Sequence, residues 1–318
     1  MASSEPKLIS IVAPFHNEAE SVTGYHAALC TVAESLPGYR FEFVCVDDGS
    51  TDATLERLVA LTETDRRVRI LELSRNFGKE AALTAAIDAA LGDAVIPMDA
   101  DLQDPPELIP EMVMHWERGA DVVLAHRSDR SADAFMKRVA ADLFYRCYAL
   151  LSDVKIPDNV GDFRLMDRRV VEALKLLPER QRFMKGLFAW VGFRSVMVEY
   201  ARRARAKGKT NFSDWKLWNF ALEGITSFST MPLKAWTYVG MVCALFTFCY
   251  GLFIVTRTLI VGVDVPGYAS TLVSVLFFGS LQLISVGLLG EYVGRLYMES
   301  KHRPVYIVRS IYGDRREP

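Results

Sequence analysis

Short apolar segments alternate with helix-forming segments along the first part of the chain. Five runs rich in β-branched residues have the length of buried strands, and the first is followed by a helix that opens within residues 15–21 and runs to about Ser35. Such alternation predicts βαβ units, and therefore an α/β domain with a mostly parallel sheet. The predicted strands are residues 8–13, 41–46, 68–73, 94–98 and 120–125.

Polar side chains follow the end of every predicted strand. In parallel α/β sheets ligands bind beyond the carboxyl ends of the strands, so these side chains are expected to line one binding edge. Any one of them could instead be a helix cap, but solubility alone does not predict the whole set. They are Asn17, Glu18, Asp47, Asp48, Asn76, Asp99, Asp101 and Arg127.

Asp99 and Asp101 stand one residue apart at the end of the fourth strand. Residues i and i+2 of an extended segment share a face, so both carboxylates can converge on one point. Two hard oxygen donors suit Mg²⁺ or Mn²⁺, and Mg²⁺ is commonly held by one or two carboxylates together with substrate phosphates. The alternative is a solvated turn, in which aspartates are common.

Composition narrows the class of protein. The chain has 318 residues, formal net charge −2 and five cysteines. This length suggests about two structural units, and the near-neutral charge argues against a nucleic-acid binder. The cysteines lack CxxC spacing and are expected to be reduced, without a disulfide framework or a zinc site. Residues 1–7 do not resemble a cleavable signal peptide, so the chain is expected to begin in the cytoplasm.

Two long apolar segments lie near the C-terminus. Residues 235–261 contain one charged residue, Arg257, and residues 267–290 contain none. Each is long enough to span a bilayer; the alternative is a buried helix pair of a soluble protein. Basic residues flank the pair but are absent from its connecting loop, which predicts both termini in the cytoplasm.

The resulting division of the chain has four parts. Residues 1–211 are predicted to form the cytoplasmic catalytic domain, and residues 212–233 an amphipathic region in the headgroup plane. Residues 234–293 contain the two transmembrane helices, and residues 294–318 form a cytoplasmic tail.

Several motifs resemble a known family. The segments VAPFHNE (12–18), VDDGSTD (46–52) and DADLQDPP (99–106) are similar to inverting family 2 glycosyltransferases, which have the GT-A (Rossmann-like) fold. More narrowly, RNFGKEAA (75–82), GDFRLMDR (161–168) and the two-helix tail resemble polyprenyl-phosphate glycosyltransferases. The resemblance extends over about residues 8–308.

The resemblance implies a nucleotide-sugar donor. Asp47 would pair with the base or ribose, and Asp48 is more readily a support of the same turn. Asp99 and Asp101 would hold the metal, and Gln103 would line the same pocket, whereas Asp104 either joins them or caps the following helix. The implied donor site further includes Pro14, Phe15, Glu18, Asn76 and Ala100.

The implied acceptor is a polyprenyl phosphate. Arg127 is expected to grip its phosphate by a forked contact. Lys137 and Arg138 open a predicted helix, residues 134–151, which either lies at the membrane surface or is an ordinary core helix. Asp162 and Arg164 would position the acceptor rather than deprotonate it. With Asp99, Asp101 and Gln103, they complete the expected catalytic set.

A basic segment, residues 200–212, precedes the apolar segments. Part of its charge is expected at the membrane surface. In the family a similar loop closes over the donor diphosphate, and Arg205 matches it here. Asn211 stands where the family usually has Lys, and Lys209 could replace that charge.

The activity implied is metal-dependent inverting transfer of a hexose from UDP-glucose to undecaprenyl phosphate. GDP-mannose is the alternative donor, and aminosugars and a homo-oligomer are left open. A processive polysaccharide synthase is disfavoured because its Gln-x-x-Arg-Trp motif is missing. A non-catalytic membrane scaffold would be expected to lose the metal carboxylates, yet Asp99 and Asp101 are present.

Overall fold

The computed structural model describes residues 6–127, 160–177, 179–180, 182, 184–200, 231–261 and 267–313. Lys137 and Arg138, Arg205 and Lys209, and nearly all of the predicted interfacial region lie outside these residues. The strands are β1 (Leu8–Phe15), β2 (Arg40–Asp47), β3 (Val68–Leu73), β4 (Ala94–Pro97), β5 (Val122–Arg127), β6 (Val160–Asp167), β7 (Ser195–Tyr200) and β8 (Val308–Tyr312).

Helices follow most of these strands. They are α1 (Val22–Ser35), α2 (Thr54–Thr64), α3 (Lys79–Ala89), α4 (Ile109–Glu117), α5 (Arg168–Lys175), α6 (Met184–Trp190), α7 (Met231–Val261) and α8 (Tyr268–Ser300), with a 3₁₀ turn at Pro106–Leu108.

All eight described strands form one sheet, in the order β7-β5-β6-β4-β1-β2-β3-β8. Strand β1 lies parallel to β2 and β4, β2 parallel to β3, and β5 parallel to β7. Strand β6 is antiparallel to both β4 and β5, and β8 is antiparallel to β3. The predicted α/β domain with a mostly parallel sheet is therefore confirmed, with antiparallel strands added at two places.

The antiparallel direction of β6 brings its first residues to the binding edge. Because β6 starts where β4 and β5 end, Val160 pairs with His126 near the end of β5. Gly161 and Asp162 therefore lie at the edge where the parallel strands deliver their polar residues.

Alternate residues of the strands fill two cores, one on each face of the sheet. Ile11 and Phe15 pack with α1 and α4, whereas Val12 packs with α3, α5 and α6 on the other face. This division follows from the two-residue period of a strand. Helix α3 buries Ala82, Ala85 and other small side chains, so its backbone can lie close to the sheet.

Helix α1 begins later than the sequence pattern predicts. Strand β1 continues through Pro14 to Phe15, and the helix starts at Val22. Asn17 has φ 54°, a left-handed conformation that interrupts any helix. Its side-chain oxygen accepts the Thr51 backbone N–H at 2.8 Å, so a contact with the next loop decides the geometry.

Helices α7 and α8 expose many large apolar side chains, among them Phe246 and Leu283. Within the described residues one stretch, Phe277–Ser300, is long and apolar enough to cross a membrane, and Tyr238–Phe253 is a shorter apolar stretch. The prediction of two transmembrane helices is therefore not confirmed and stays a prediction. Helix α8 also continues to Ser300, beyond the predicted end of the second span.

The predicted cytoplasmic tail contributes a strand to the catalytic sheet. Strand β8 pairs with β3, and Tyr306 just before it donates to Asp88 Oδ2 at 3.0 Å. The sequence pattern does not predict this strand. The boundary at residue 211 therefore leaves out one strand of the sheet that carries the site.

Candidate active site

Three loops at the carboxyl ends of β1, β2 and β3 hold one another in place. Asp48 accepts the backbone N–H groups of Phe77 at 2.7 Å and Gly78 at 2.9 Å through its two carboxylate oxygens. Gly49 has φ 62°, and a Cβ there would lie 2.5 Å from the Arg75 carbonyl carbon. Only glycine allows the two loops to approach this closely.

Asp47 differs from its neighbour because one of its oxygens has no partner. Oδ2 accepts the Ser50 N–H at 3.1 Å, whereas Oδ1 is buried without a hydrogen-bond partner in the described part of the chain. An unsatisfied buried carboxylate oxygen is costly. Its position at the end of β2 makes it a ready acceptor for a ligand N–H or O–H group.

Lys79 connects two carboxylates that come from distant parts of the sequence. Its ammonium lies 2.8 Å from Asp99 Oδ1 and 2.9 Å from Asp162 Oδ2. Burial alone would lower the pKa of Lys79, but Asp162 and Asp99 outweigh it and raise this pKa. Burial raises the pKa of Asp99, and Lys79 offsets part of that shift.

Asp162 is a partly buried carboxylate that remains ionised. Burial favours a higher pKa, but the positive charges of Lys79 and Lys185 outweigh it and lower the pKa of Asp162 to about 2. Its Oδ1 is buried and has no hydrogen-bond partner among the described residues. A second orphaned carboxylate oxygen therefore lies at the binding edge.

The Asp-x-Asp segment follows β4 and has an unusual backbone. Leu102, between Asp101 and Gln103, has φ 53°, which is uncommon for a residue with a bulky side chain. The Gln103 backbone N–H donates to Asp101 Oδ1 at 3.2 Å. Asp101 also raises the pKa of Asp99, so the two carboxylates act on each other as the i, i+2 spacing predicts.

The donor set at this edge fits a divalent cation. Asp99 and Asp101 supply hard oxygen ligands, and a cationic group, the Lys79 ammonium, already lies against Asp99. A metal ion together with a diphosphate would satisfy the same carboxylates.

Arg127, at the end of β5, is held by two side chains. Its Nε donates to the Tyr200 hydroxyl at 3.0 Å, and Nη2 lies 3.6 Å from Asp104 Oδ1. The Tyr200 hydroxyl donates in turn to Asp104. A Cβ at Gly161 would lie 3.1 Å from Arg127 Nη2, so glycine makes room for the guanidinium.

A family model described as "Glycosyl transferase family 2" matches residues 10–175. The chain belongs to glycosyltransferase family 2. The matched range contains Asp47, Asp99 and Asp162, which lie at the binding edge. The enzyme is thus a glycosyltransferase with a GT-A-like α/β fold.

Relatives of this glycosyltransferase match it over nearly its full length. The bactoprenol glucosyl transferase of Shigella phage SfV is 53% identical, covering 95% of this chain and 98% of the relative. The prophage bactoprenol glucosyl transferase homolog of Escherichia coli K12 is 52% identical, with 95% and 99% covered. The structure of a Pyrobaculum calidifontis mannosyltransferase in complex with GDP-Man and Mn²⁺ aligns at 16% identity and TM-score 0.48, covering 94% of this chain and 87% of that one.

Two predicted site residues of the glycosyltransferase, Phe15 and Arg164, have different surroundings from those expected, whereas Asp48 is the turn support that was expected. The Phe15 side chain is 1% exposed and packs edge-on against Tyr25, so its ring belongs to the core. Arg164 is also buried: it donates to the Gly161 carbonyl at 2.7 Å and lies 4.0 Å from the Phe188 ring centre. Arg164 therefore supports the start of β6. Asp48, with both oxygens occupied, is a support of the turn.

Other predicted site residues lie at the binding edge of the sheet, where they contact neighbouring residues. Glu18 accepts the Ser21 hydroxyl at 2.9 Å, and the Asn76 amide nitrogen lies 3.1 Å from the His16 ring nitrogens. Pro14 is the last residue but one of β1, while Ala100 and Gln103 are buried beside Asp99 and Asp101. Asp104 does not cap the following turn, which has no side-chain cap, because it pairs with Arg127.

Sequence reasoning missed two residues of this site. Lys79 stands inside the quoted NFGKE motif, but its position between two carboxylates follows only from the meeting of α3, β4 and β6. Tyr200 orients Arg127 from β7, a strand that the pattern does not predict. No local signal marks Tyr200.

Proposed function

We propose that the enzyme transfers a hexose, most readily glucose from UDP-glucose, to undecaprenyl phosphate with inversion at the anomeric carbon. The observation that carries this proposal is the pair of orphaned, buried carboxylate oxygens of Asp47 and Asp162 at one sheet edge, with Lys79 between Asp99 and Asp162. The similarity to bactoprenol glucosyl transferases supports the acceptor and the sugar.

In this proposal Asp47 receives the donor nucleoside. A carboxylate oxygen without a partner accepts from a uracil N–H or from a ribose hydroxyl. Pro14, Glu18 and Asn76 border the same side of the edge. Arg205 and Lys209 would close over the diphosphate.

Asp99 and Asp101 would hold Mg²⁺ or Mn²⁺, with Gln103 beside them. When bound, such an ion neutralises negative charge that develops on the departing nucleoside diphosphate. The protein itself supplies placement: the loops tied by Asp48 and Gly49 fix the donor side before any ligand arrives.

The acceptor needs little activation in this reaction. A phosphate monoester already carries an anionic oxygen at neutral pH, because its second pKa is about 6. A general base works best with a pKa near the operating pH, whereas Asp162 has a pKa of about 2. Asp162 is therefore assigned to positioning, and Arg127, Lys137 and Arg138 to the acceptor phosphate.

The proposal places the catalytic domain on the cytoplasmic face of the inner membrane, with helices near residues 235–261 and 267–290 spanning it. Strands β7 and β8 precede and follow the helix pair, and both belong to one sheet. The chain between them must therefore cross the membrane an even number of times. Two crossings satisfy this condition, with residues 212–233 in the headgroup plane where lipid and sugar nucleotide meet.

One experiment distinguishes the proposed reaction from two alternatives. A GDP-mannose donor would use the same edge, and a non-catalytic scaffold would bind nucleotide without turnover. Purified protein is incubated with undecaprenyl phosphate, Mg²⁺ or Mn²⁺, and labelled UDP- or GDP-sugars. We expect UDP-glucose to label the lipid, and Asp99→Asn with Asp101→Asn to abolish labelling. Nucleotide binding without labelling by any donor would contradict the proposed reaction.

A further inference from the structure

Lys185 is a cation near the binding edge for which the described part of the chain supplies no ion-pair partner. It lies in the first turn of α6 and is half-buried, and no hydrogen bond or ion pair of its side chain exists within the described ranges. The neighbouring cations differ: Lys79 pairs with Asp99 and Asp162, and Arg127 with Asp104. A partly buried ammonium without a partner is costly, so it needs an anion from elsewhere.

The position of Lys185 is fixed by a contact between α3 and α6. Glu80, next to Lys79 on α3, accepts the Met184 backbone N–H at 3.0 Å. Burial and the nearby Asp162 raise the pKa of Glu80 to about 7, so this carboxylate is a weak counter-ion at neutral pH. The first turn of α6 is thus held against the edge without neutralising Lys185.

The charged groups near Lys185 come from both the Asp99–Lys79 part and the Arg127 part of the site. Burial lowers the pKa of Lys185. The negative charges of Asp162 and, to a smaller extent, Glu80 oppose this shift, while the positive charges of Lys79 and Arg127 add to it. Lys185 therefore lies within electrostatic reach of Asp162, Lys79 and Arg127 at once. It also lines a cavity of about 120 Å³ with Arg164 and otherwise mostly apolar residues, and no carboxylate contributes to this lining.

A phosphate group of a substrate is the kind of anion that the positive charges of Lys185 and Arg127 would attract. Because Asp162 is ionised, its negative charge would repel an acceptor phosphate unless nearby cations offset that charge. Lys79 lies within 2.9 Å of two carboxylates, whereas Arg127 has one carboxylate at 3.6 Å. Lys185 and Arg127 are therefore the cations with more positive charge available for the acceptor. A lysine ammonium binds phosphate as a compact point charge with three donors.

We propose that Lys185 is a second binding group for the phosphate of the acceptor, acting together with Arg127. This inference rests on the proposed function and adds to it a residue from α6, which neither the sequence motifs nor the Asp-x-Asp segment indicate. Arg127 approaches from the end of β5 and Lys185 from α6, so the phosphate is held from two elements.

The test separates binding of the two substrates. Initial rates of Lys185→Met, Lys185→Arg and wild type are measured at varied undecaprenyl phosphate with saturating UDP-glucose, and then the reverse. A hydrogen bond to a charged group contributes about 1.5–3 kcal/mol, so Lys185→Met should raise the acceptor KM about 10- to 100-fold. The donor KM should change less than about twofold, and Lys185→Arg should recover most of the acceptor affinity.

Matched controls separate this role from a structural one. Lys175→Met removes a lysine that pairs with the exposed Glu172, and it should leave both KM values unchanged. Thermal melting of each variant checks the fold, and Lys185→Gln replaces Lys185→Met if the latter is unstable. Free inorganic phosphate should inhibit wild type competitively with the acceptor, and less so the Lys185 variants.

The outcomes distinguish this inference from the proposed function. An unchanged acceptor KM in a folded Lys185→Met enzyme would overturn the inference alone. A donor KM that rises while the acceptor KM stays constant would also overturn it, and would assign Lys185 to the diphosphate. Absence of transfer by the wild type would overturn the proposed function, and this inference with it.

Discussion

Asp47 and Asp48 are neighbours in the chain, but their carboxylates have different tasks. Both carboxylate oxygens of Asp48 accept backbone N–H groups of the β3–α3 loop, whereas one buried oxygen of Asp47 has no hydrogen-bond partner among the described residues. A support must be satisfied in the free enzyme, and a binding group is satisfied only when its ligand arrives. The hydrogen-bond pattern therefore separates two residues that the sequence motif presents as a pair.

At the same scale, Lys79 is expected to compete with a metal ion for Asp99. Its ammonium lies 2.8 Å from that carboxylate, where it would repel a divalent cation. Lys79→Met should tighten Mn²⁺ binding, measured by electron paramagnetic resonance without donor, by about tenfold, equivalent to about 1.4 kcal/mol.

Two further measurements test the role assigned to Lys79. Lys175→Met should bind Mn²⁺ as the wild type does, since it lies on α5 and pairs with Glu172. Adding Asp99→Asn to Lys79→Met should remove the gain. Weaker Mn²⁺ binding by Lys79→Met would show that the lysine organises the carboxylates rather than competing with the ion.

Residue types and spacing predicted part of this site. Asp47 and Asp99 do lie at one edge, because parallel strands share their carboxyl ends. Asp162 was implied only by the family resemblance, and it reaches this edge because the antiparallel strand β6 starts there. The burial of Phe15 and Arg164 could not be read from the chain, since a motif does not say which face a side chain takes. Lys79 and Lys185 depend on how α3 and α6 pack.

At the scale of elements, β8 covers an edge strand and satisfies a buried charge. Glu72 on β3 is 6% exposed, and it accepts from Arg309 and from the Tyr312 hydroxyl, each at 2.9 Å. Removing the partners of a buried ion costs about 3–5 kcal/mol. Deleting residues 308–318 should therefore lower the melting temperature clearly, as measured by intrinsic fluorescence in detergent.

A second substitution identifies the cause of that loss. In the shortened chain, Glu72→Gln should restore part of the stability, because a neutral amide tolerates burial better than an unpaired carboxylate. In the full chain the same substitution should be destabilising. Identical melting of the shortened and full-length chains would show that β8 contributes nothing to the sheet.

The pairing of α1 with the loop between α2 and β3 makes the domain sensitive to acid. Asp65 Oδ2 lies 2.8 Å from both His26 Nε2 and Arg67 Nη2. Burial would raise the pKa of Asp65, but hydrogen bonds from Arg67 and His26 outweigh it and hold this pKa well below its usual range. The unfolded chain therefore binds a proton first, and this stabilisation is lost as pH falls below about 4.

Asp65→Asn tests this dependence. The wild type should lose stability as pH falls from about 4, the ordinary carboxyl range, whereas the variant should be less stable at neutral pH and change less on acidification. Urea unfolding at a series of pH values, from neutral to below about 4, measures how steeply the free energy of unfolding changes with pH. Glu172→Gln removes an exposed carboxylate and should leave the slope nearly unchanged. Parallel curves for wild type and Asp65→Asn would contradict the assignment.

Elements with a strong hydrophobic period were predictable, and the others were not. Strand β3 agrees with its predicted bounds because all six of its residues are buried. Strand β6 carries Gly161, Asp162 and Arg164, which weaken the strand pattern, and it is held by pairing with β4 and β5. Strands β7 and β8 likewise owe their structure to partners distant in sequence.

For the whole molecule, the helix pair is inserted between the two outer strands of one sheet. The chain leaves at β7 and returns at β8, on opposite edges. With about 4.8 Å between neighbouring strands, those edges are about 34 Å apart. Near the return point, Glu299 in the last turn of α8 accepts the Arg180 backbone N–H at 3.0 Å, so the helix end contacts the catalytic domain.

This connectivity leads to a prediction about the membrane. If α7 and α8 both cross it, Asp264 in their connecting loop is on the far side, and Ser300 at the end of α8 is cytoplasmic. In a chain whose five cysteines are replaced, Asp264→Cys should react with an impermeant maleimide on intact cells. Ser300→Cys should react only after permeabilisation. If Asp264→Cys is protected to the same extent as Ser300→Cys, neither helix crosses, and the exposed apolar faces of α7 and α8 must be covered by lipid or protein on the cytoplasmic side.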